Sequence, residues 1–331
     1  MPELPEVETI VRDLCKKIIG RKIKSVWFDA PKMISIIFAD KRGKVRGTTR
    51  KTDKFQQTFE KAVRGFKITE IKRRGKNILI HLQNADKCRL KTQINADIGE
   101  NQRQNQHKST ILLIHQKMTG HLLYGKWLVK NKKPVSSLKG ALRERVNDYI
   151  HLIFYLDNGW QLALSDLRKF AKVVFGPKNE IENLEELKKL GPEPLEKAFD
   201  FKKFKQILKN KKGKIKQVLM DQSVISGIGN IYSDEILWLA KIHPFRPASQ
   251  LKDSELKKIF HFIKEVLKKA VKLCGTSISD FRDPEGKSGH YAEHRYVYRR
   301  EGEKCQRCRS IIKRLKMGGR SAHFCPKCQK L

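Results

Sequence analysis

The chain has 331 residues and carries 72 Lys and Arg against 35 Asp and Glu, a formal net charge of +37. This length holds two cores, and no apolar run is long enough to span a bilayer as a helix, which excludes an integral helical membrane protein. The positive charge is spread along the whole chain, which favours a polyanionic partner, nucleic acid above all, although part of the lysine excess belongs to solvated helix faces.

The first predicted element follows Met1-Pro2-Glu3-Leu4-Pro5-Glu6. Val7, Ile10, Val11, Leu14 and Ile18 recur at helical spacing behind Pro5. Glu3, Glu6 and Glu8 make an acidic first turn that complements the helix dipole, and Lys16, Lys17 and Gly20 mark the stop. A helix is expected with or without chemistry, but the same residues can also do chemistry. Trimming of Met1 before a small second residue would leave Pro2 with a secondary amine, which can attack a sugar aldehyde carbon and form an iminium. Glu3 and Glu6 lie within one turn of that amine and could move protons around it. The acidic start lacks an uninterrupted apolar core, so it does not read as a secretion signal; a soluble, cytoplasmic (nucleoid-associated) monomer is the default expectation.

Beyond Gly20 the pattern changes to period two and short apolar runs. Strands are expected at 23–28, 33–38, 66–71, 77–82, 110–114, 122–129, 150–156, 160–164 and 173–175. Many short strands without helices between them imply a sandwich or barrel. Residues 83–109 are polar and rich in Asn, Gln and Lys, and read as a mobile surface insertion between two strands. From about residue 181 the period becomes helical, with candidates at 182–190, 201–209, 215–221, 231–241 and 254–274, the first two separated by Gly191-Pro192-Glu193-Pro194.

Between two of these helices lies Ser226-Gly227-Ile228-Gly229-Asn230. Its glycines permit close backbone approach, Asn230 is placed to cap the next helix, and free helix N–H groups suit a phosphate. A tight turn without a ligand fits equally well; the nearby Lys211, Lys212, Lys214 and Lys216 favour phosphate. Cys15, Cys88 and Cys274 are scattered and read as ordinary thiols. Cys305-Gln-Arg-Cys308 and Cys325-Pro-Lys-Cys328 have the spacing of two zinc knuckles joined by a hairpin, and four thiolates leave no position open for water, so one structural Zn²⁺ is expected.

Taken together and in order, Met1-Pro-Glu-Leu-Pro-Glu-Val-Glu-Thr9, Gly191-Pro-Glu-Pro-Leu195, the Gly-Ile-Gly-Asn turn with Ile231-Tyr232 and Glu235, Gly318-Gly-Arg-Ser321 and the terminal four-cysteine ribbon resemble the bacterial formamidopyrimidine-DNA glycosylases. The resemblance runs from Pro2 to Gln329. It implies an α+β, multi-domain fold: residues 1–178 form an N-terminal helix plus β-sandwich catalytic domain with the insertion at about 83–109. Residues 179–300 form a helix–two-turn–helix DNA-binding domain with a lesion loop at about 276–291, where Gly286 and Gly289 are flexible points, and 301–331 form a zinc-ribbon finger.

The resemblance also implies a bifunctional glycosylase and abasic-site lyase of base excision repair, acting on oxidised purines in damaged double-stranded DNA through a Schiff base at Pro2, then β,δ-elimination. Glu3 would be the acid–base group at the sugar ring, Glu6 would support the site and the base pocket, and Lys76 and Arg320 would hold the target-site phosphates. Met118, Arg168 and Phe170 would fill the hole left by the extruded base, with His115 and Lys169 among the DNA contacts, and Asn230 and Lys216 would hold a further phosphate. Taken without the family, Met118 and Phe170 read as core residues and Lys76 as a solvated hairpin tip.

Departures from the family pattern fall in the wedge loops: Lys117 precedes Met118 where glycine is usual, and Asp166-Leu-Arg-Lys-Phe-Ala171 replaces Asp-Pro-Arg-Arg-Phe-Gly. A related branch acting on oxidised pyrimidines usually begins without Leu4-Pro5, and a non-catalytic zinc-bearing nucleic-acid binder would share the basic surface but leave no covalent adduct.

Overall fold

A computed structural model of the chain describes residues 1–39, 45–48, 53–84, 109–131, 133–278 and 280–331. The N-terminal half is two packed sheets. One is antiparallel, ordered β1 (Ile23–Phe28), β10 (Ile150–Leu156), β11 (Gln161–Ser165), β7 (His121–Gly125). The other is ordered β3 (Val45–Thr48), β2 (Ile34–Ala39), β12 (Lys172–Pro177), β6 (Thr110–His115), β5 (Asn77–Asn84), β4 (Phe66–Arg74). In it only the β12–β2 pairing is parallel. Alternate residues point into the sandwich: Ile78, Ile80 and Leu82 on β5, Leu112 and Ile114 on β6, Val173 and Phe175 on β12, meeting Phe28, Phe154 and Leu162 from the smaller sheet. The opposite face of the larger sheet is also apolar. Leu79, Ile111, Leu113 and Val174 pack there against Ile181 and Leu187, which explains the unbroken apolar run on β6.

The helix Leu4–Ile18 (α1) forms as its sequence predicts, with Pro5 in the first turn and Lys16 and Lys17 in the last. Val7, Ile10, Val11, Leu14 and Ile18 join the sandwich core. Leu4 instead enters the core of the C-terminal half, beside Ile228, Tyr232 and Leu267. The chain's first turn is therefore built into both halves. That second half packs the helices Phe201–Leu208, Ile215–Met220, Asn230–Ala240 and Asp253–Lys272 around Phe204, Leu219, Tyr232, Ile236, Ile259 and Ile263. The last residues form the hairpin Lys313–Met317 (β13) and Arg320–Phe324 (β14), and the flanking Cys305, Ile312 and Cys325 pack on Trp238 and Val297.

Several expectations are corrected. The strand at 122–129 is two strands, β7 and Trp127–Lys130 (β8), the latter pairing with Lys133–Ser136 (β9) in a separate hairpin. The helix at 182–190 is two short turns, Lys178–Glu182 and Glu185–Lys188. A helix at Asp53–Val63 was not anticipated; it buries Phe55, Phe59 and Val63, and Phe59 meets Phe28 edge-on at 5.8 Å. Gln83 and Asn84 belong to β5, where they pair with Lys67 and Phe66. The rest of the 83–109 insertion, up to Lys108, lies outside the described residues. It joins two strands that pair directly, Leu82 opposite Thr110.

Candidate active site at the junction of the two halves

The site is organised by the carboxylate of Glu3, which is almost fully buried. Its Oε2 accepts the Gly229 N–H at 2.8 Å and the Tyr232 N–H at 3.4 Å, and its Oε1 accepts the Ile231 N–H at 2.9 Å. The N-terminus of the Asn230–Ala240 helix thus holds an anion, as helix termini favour. That anion is a side chain of the same protein, 226 residues away in sequence from Gly229. This corrects the reading of the Gly227–Gly229 turn as a backbone phosphate cradle. The N-cap is Gly229, not Asn230, and it makes no side-chain cap bond. A Cβ on Gly229 would lie 2.4 Å from the Glu3 carboxyl carbon, and one on Gly227 (φ +91°) 2.6 Å from the Leu4 Cβ. The two glycines let the N-terminal segment dock.

Glu6 braces the same segment. It accepts from the Glu3 N–H (2.8 Å), the Thr276 N–H (2.7 Å) and the Tyr232 hydroxyl (2.5 Å), while Tyr232 Oη lies 2.9 Å from Thr276 Oγ1. Burial, then the Glu3 charge, raises the Glu6 carboxyl above the usual carboxylate range, against three donors that favour its ionised form. Burial also lowers the amine of Met1, with Glu3 and Glu6 pulling the other way and Lys76 reinforcing the fall. The pocket beside that amine is lined by Met1, Pro2, Glu6, Met118, Thr276, Phe281, Tyr298 and Arg299.

Lys76 is no solvated hairpin tip: only 5 % of it is exposed. Burial lowers its ammonium; Glu3 and Glu6 oppose the shift and Arg320 adds to it. The hairpin is folded inward by Glu193, which accepts the Gly75 N–H at 2.6 Å and pairs with Arg73 at 2.6 Å, while Arg74 donates to the carbonyls of Leu190 and Gly191. Glu193 was read in the sequence as punctuation. Its signal was the pair of arginines at 73 and 74, which need a partner once the hairpin is buried.

The wedge candidates stand at one rim. Phe170 is 53 % exposed, and the Arg168 guanidinium lies over its ring at 4.5 Å; Met118 is half-buried in the neighbouring loop. Asp166, fully buried, joins the two loops. It accepts from the Thr119 hydroxyl, the Arg168 N–H (3.2 Å), and the Phe170 and Ala171 N–H groups (2.7 Å each). Lys117 and Lys169 adopt φ of 54° and 55°, a left-handed conformation that costs a non-glycine residue about 1–2 kcal/mol, so at Lys117 the loop keeps the backbone that a glycine would take without strain. His115 Nδ1 accepts the Lys117 N–H at 2.9 Å, which leaves Nε2 as the donor of the neutral ring. Burial, then Lys117 and Lys76, holds that imidazole down to about 4.

Lys216 departs from expectation. It is wholly enclosed, pairing with Asp234 at 2.7 Å and donating to the Ser321 carbonyl at 2.6 Å, rather than standing free for a phosphate. The Asn230 Nδ2 lies 3.4 Å from Tyr298 Oη. Tyr298 is placed by Glu235, which accepts the N–H groups of Tyr296, Val297 and Tyr298 at 2.7–3.0 Å. In the lesion-loop segment, the Gly286 N–H donates to Asp283 and the Gly289 N–H to Ser277, so both expected flexible points are hydrogen-bonded; Ser279 lies outside the described residues.

At the far end, the sulfurs of Cys305, Cys308, Cys325 and Cys328 all lie within 4.8 Å of one another. Four thiolates about 2.3 Å from a tetrahedral Zn²⁺ fit that spacing. The ribbon has little apolar core of its own, so replacing Cys325 with Ser should release the metal and unfold the ribbon while the sandwich stays folded. Zinc content and duplex binding would both fall; retention of both would contradict a structural metal.

Three family models match in chain order: the formamidopyrimidine-DNA glycosylase N-terminal domain over residues 1–173, the formamidopyrimidine-DNA glycosylase H2TH domain over 190–282, and the zinc finger found in FPG and IleRS over 302–331. The chain belongs to the formamidopyrimidine-DNA glycosylase family. It is 36% identical to the formamidopyrimidine-DNA glycosylase of Heliobacterium modesticaldum over 331 residues, with both chains fully covered. It is 36% identical to that of Streptococcus mutans over 330 residues, again with full coverage. Among solved structures it matches a Lactococcus lactis FPG mutant in complex with Fapy-dG containing DNA, with TM-score 0.75, 30% identity and full coverage of both chains. It also matches MutM (FPG) from Thermus thermophilus, with TM-score 0.72, 29% identity, and 99% and 98% coverage. No helix among the described residues is long and apolar enough to cross a membrane.

Proposed function

We propose that this chain excises oxidised purines from damaged duplex DNA, with the imino group of Pro2 as nucleophile, and then cuts the strand by β,δ-elimination. The observation that carries the reading is the docking of Glu3 on the Asn230–Ala240 helix, which holds the first residues beside a pocket where the Lys76 charge acts on the Met1 amine. Attack by the Pro2 nitrogen on the sugar C1′ forms a C–N bond as the base departs with the pair of electrons of the glycosidic bond. Opening of the sugar ring leaves an iminium, which acidifies the neighbouring C2′ proton. Loss of that proton expels the 3′ phosphate, and a second elimination expels the 5′ phosphate.

Each side chain has a defined part in that sequence. Burial lowers the Met1 amine, and a secondary amine at Pro2 held in the same surroundings would be pushed likewise toward the free base, the form that attacks. Glu3, fixed by three amides, is a carboxylate at a set position for proton transfer at the sugar. Lys76 and the exposed Arg320 supply positive charge for flanking phosphates, and the neutral His115 offers its Nε2–H. Arg168 and Phe170 form an apolar and cationic wedge for the gap left by the extruded nucleotide.

A cleavage panel tests the substrate class. Duplexes carrying 8-oxoguanine or formamidopyrimidine should be cut to a one-nucleotide gap with phosphate at both ends, and a thymine-glycol duplex should be cut more slowly. Faster cutting of thymine glycol would favour the pyrimidine branch. Affinity for duplex should fall steeply as salt is raised, with a log–log slope of several units; a flat response would contradict a phosphate-led interface.

A further inference from the structure

Arg320 is the first residue of β14, exposed at the hairpin tip where the ribbon meets the Ile215–Met220 helix. Nothing in the hairpin itself fixes where that tip points relative to the catalytic junction. The ribbon's knuckle end has its own fastenings: Arg307 lies over the Trp238 ring at 4.0 Å and donates to its carbonyl, and Gln329 donates to the Ile242 carbonyl at 2.9 Å. The hairpin packs separately, with Phe324 edge-on to His243 at 4.5 Å and the His323 ring against Tyr298 at 4.9 Å, and its hydrogen bonds to the helical half run to one buried ion pair. Asp234, on the Asn230–Ala240 helix, takes the Lys216 ammonium on Oδ1 at 2.7 Å. Its Oδ2 accepts both the main-chain N–H and the ring Nδ1–H of His323, each at 3.0 Å. Lys216 in turn donates to the Ser321 carbonyl at 2.6 Å. Asp234 and Lys216 are both 0 % exposed. All three bonds to the ribbon fall on residues one and three positions beyond Arg320.

Burying an ion pair of this kind is a poor way to gain stability, because an apolar replacement of the same volume is often as good or better. What the arrangement gives is geometry. Its bonds are directional, they join two helices to one strand, and they tolerate one register of β14.

We propose that Asp234 is the positioning residue for Arg320: the Lys216–Asp234–His323 cluster sets the register of the ribbon hairpin against the helical half, so that the guanidinium meets the phosphates flanking the lesion. The inference rests on the phosphate-gripping role of Arg320 proposed above. It places the cause of that grip in a side chain that touches no DNA. It also accounts for Lys216, whose burial removes it from the basic surface.

The test is a double-mutant cycle on the zinc-loaded full chain, reading affinity for a duplex with a tetrahydrofuran abasic-site analogue by fluorescence anisotropy. Arg320→Ala should weaken binding by about tenfold or more, the scale of one charge-assisted contact. Asp234→Asn should weaken it comparably with zinc content unchanged, and the double variant should bind no worse than Arg320→Ala alone. Losses that multiply in the double variant, or an Asp234→Asn chain that binds like the parent while Arg320→Ala does not, would overturn the inference. An Arg320→Ala chain with unchanged affinity would instead sink the reading of Arg320 itself, and this inference with it. Should Asp234→Asn fail to fold, His323→Ala decides the matter, since it keeps the Lys216 pair and the main-chain bond. It should give a smaller loss that vanishes in the Arg320→Ala background, and a loss that persists there would be contrary.

Discussion

Enzyme that keeps one or more residues ahead of Pro2 should form no borohydride-trapped adduct with abasic DNA, and its lesion cleavage should fall by about a hundredfold or more, the low end of what one positioned catalytic group contributes. A two-residue remnant of a cleaved tag is enough for the purpose. Such a chain converts the Pro2 secondary amine into an amide, which has no lone pair to offer a sugar carbon. Duplex affinity should survive within a few-fold, because Lys76, Arg168 and Arg320 are untouched. The prediction separates the enzyme from a binder with the same charge: a binder would lose nothing. The proposal requires Met1 to be absent from working enzyme, and intact mass establishes that directly. Met1 and Pro2 both line the pocket beside Tyr298 and Arg299, so on the proposed mechanism loss of Met1 would open space for the sugar.

Gly229→Ala should cost nearly as much through a different route. The new methyl would lie 2.4 Å from the Glu3 carboxyl carbon and 2.5 Å from Oε1, closer than any relaxed packing allows. Glu3 would have to leave the helix terminus, forfeiting its bonds to Gly229, Ile231 and Tyr232. Overpacking and the loss of charge-assisted hydrogen bonds together should lower folding stability by about 2–4 kcal/mol. Catalysis should fall with it, by about a hundredfold, since Glu3 and the terminal amine move as one segment. Gly213→Ala is the control: its Cβ would meet only Val218 at 3.5 Å, an ordinary contact, and both stability and rate should be nearly unchanged. Thermal unfolding and single-turnover cleavage of the two variants side by side read the difference. Equal behaviour would mean that the Glu3 dock does not organise the site.

Much of this was legible in the sequence because the signals are local. The period of Val7, Ile10, Leu14 and Ile18 gave α1, alternation gave the strands, and the two Cys-x-x-Cys pairs gave the ribbon. The Asp53–Val63 helix was legible and missed: Phe55, Phe59 and Val63 stand at spacing of four on one buried face. What could not be read was pairing across distance. A helix N-terminus after two glycines announces that an anion belongs there, and the lysines nearby argued for phosphate. Only the fold shows that Glu3 arrives first, from the other end of the chain. The same holds for Glu193 beneath the Lys76 hairpin, whose arginines lie more than a hundred positions away, and for Asp234, which reaches His323 of the ribbon 89 positions on. In each case the residue type was right for a buried charge, and the partner was set by topology.

The most direct measurement is the identity of the residue that carries the sugar. Borohydride reduction of the enzyme on abasic duplex, followed by digestion and peptide mass spectrometry, should place the adduct on the nitrogen of Pro2, on a peptide that begins there and lacks Met1. An adduct on Lys76, or trapping at full yield on chains that retain Met1, would contradict the account.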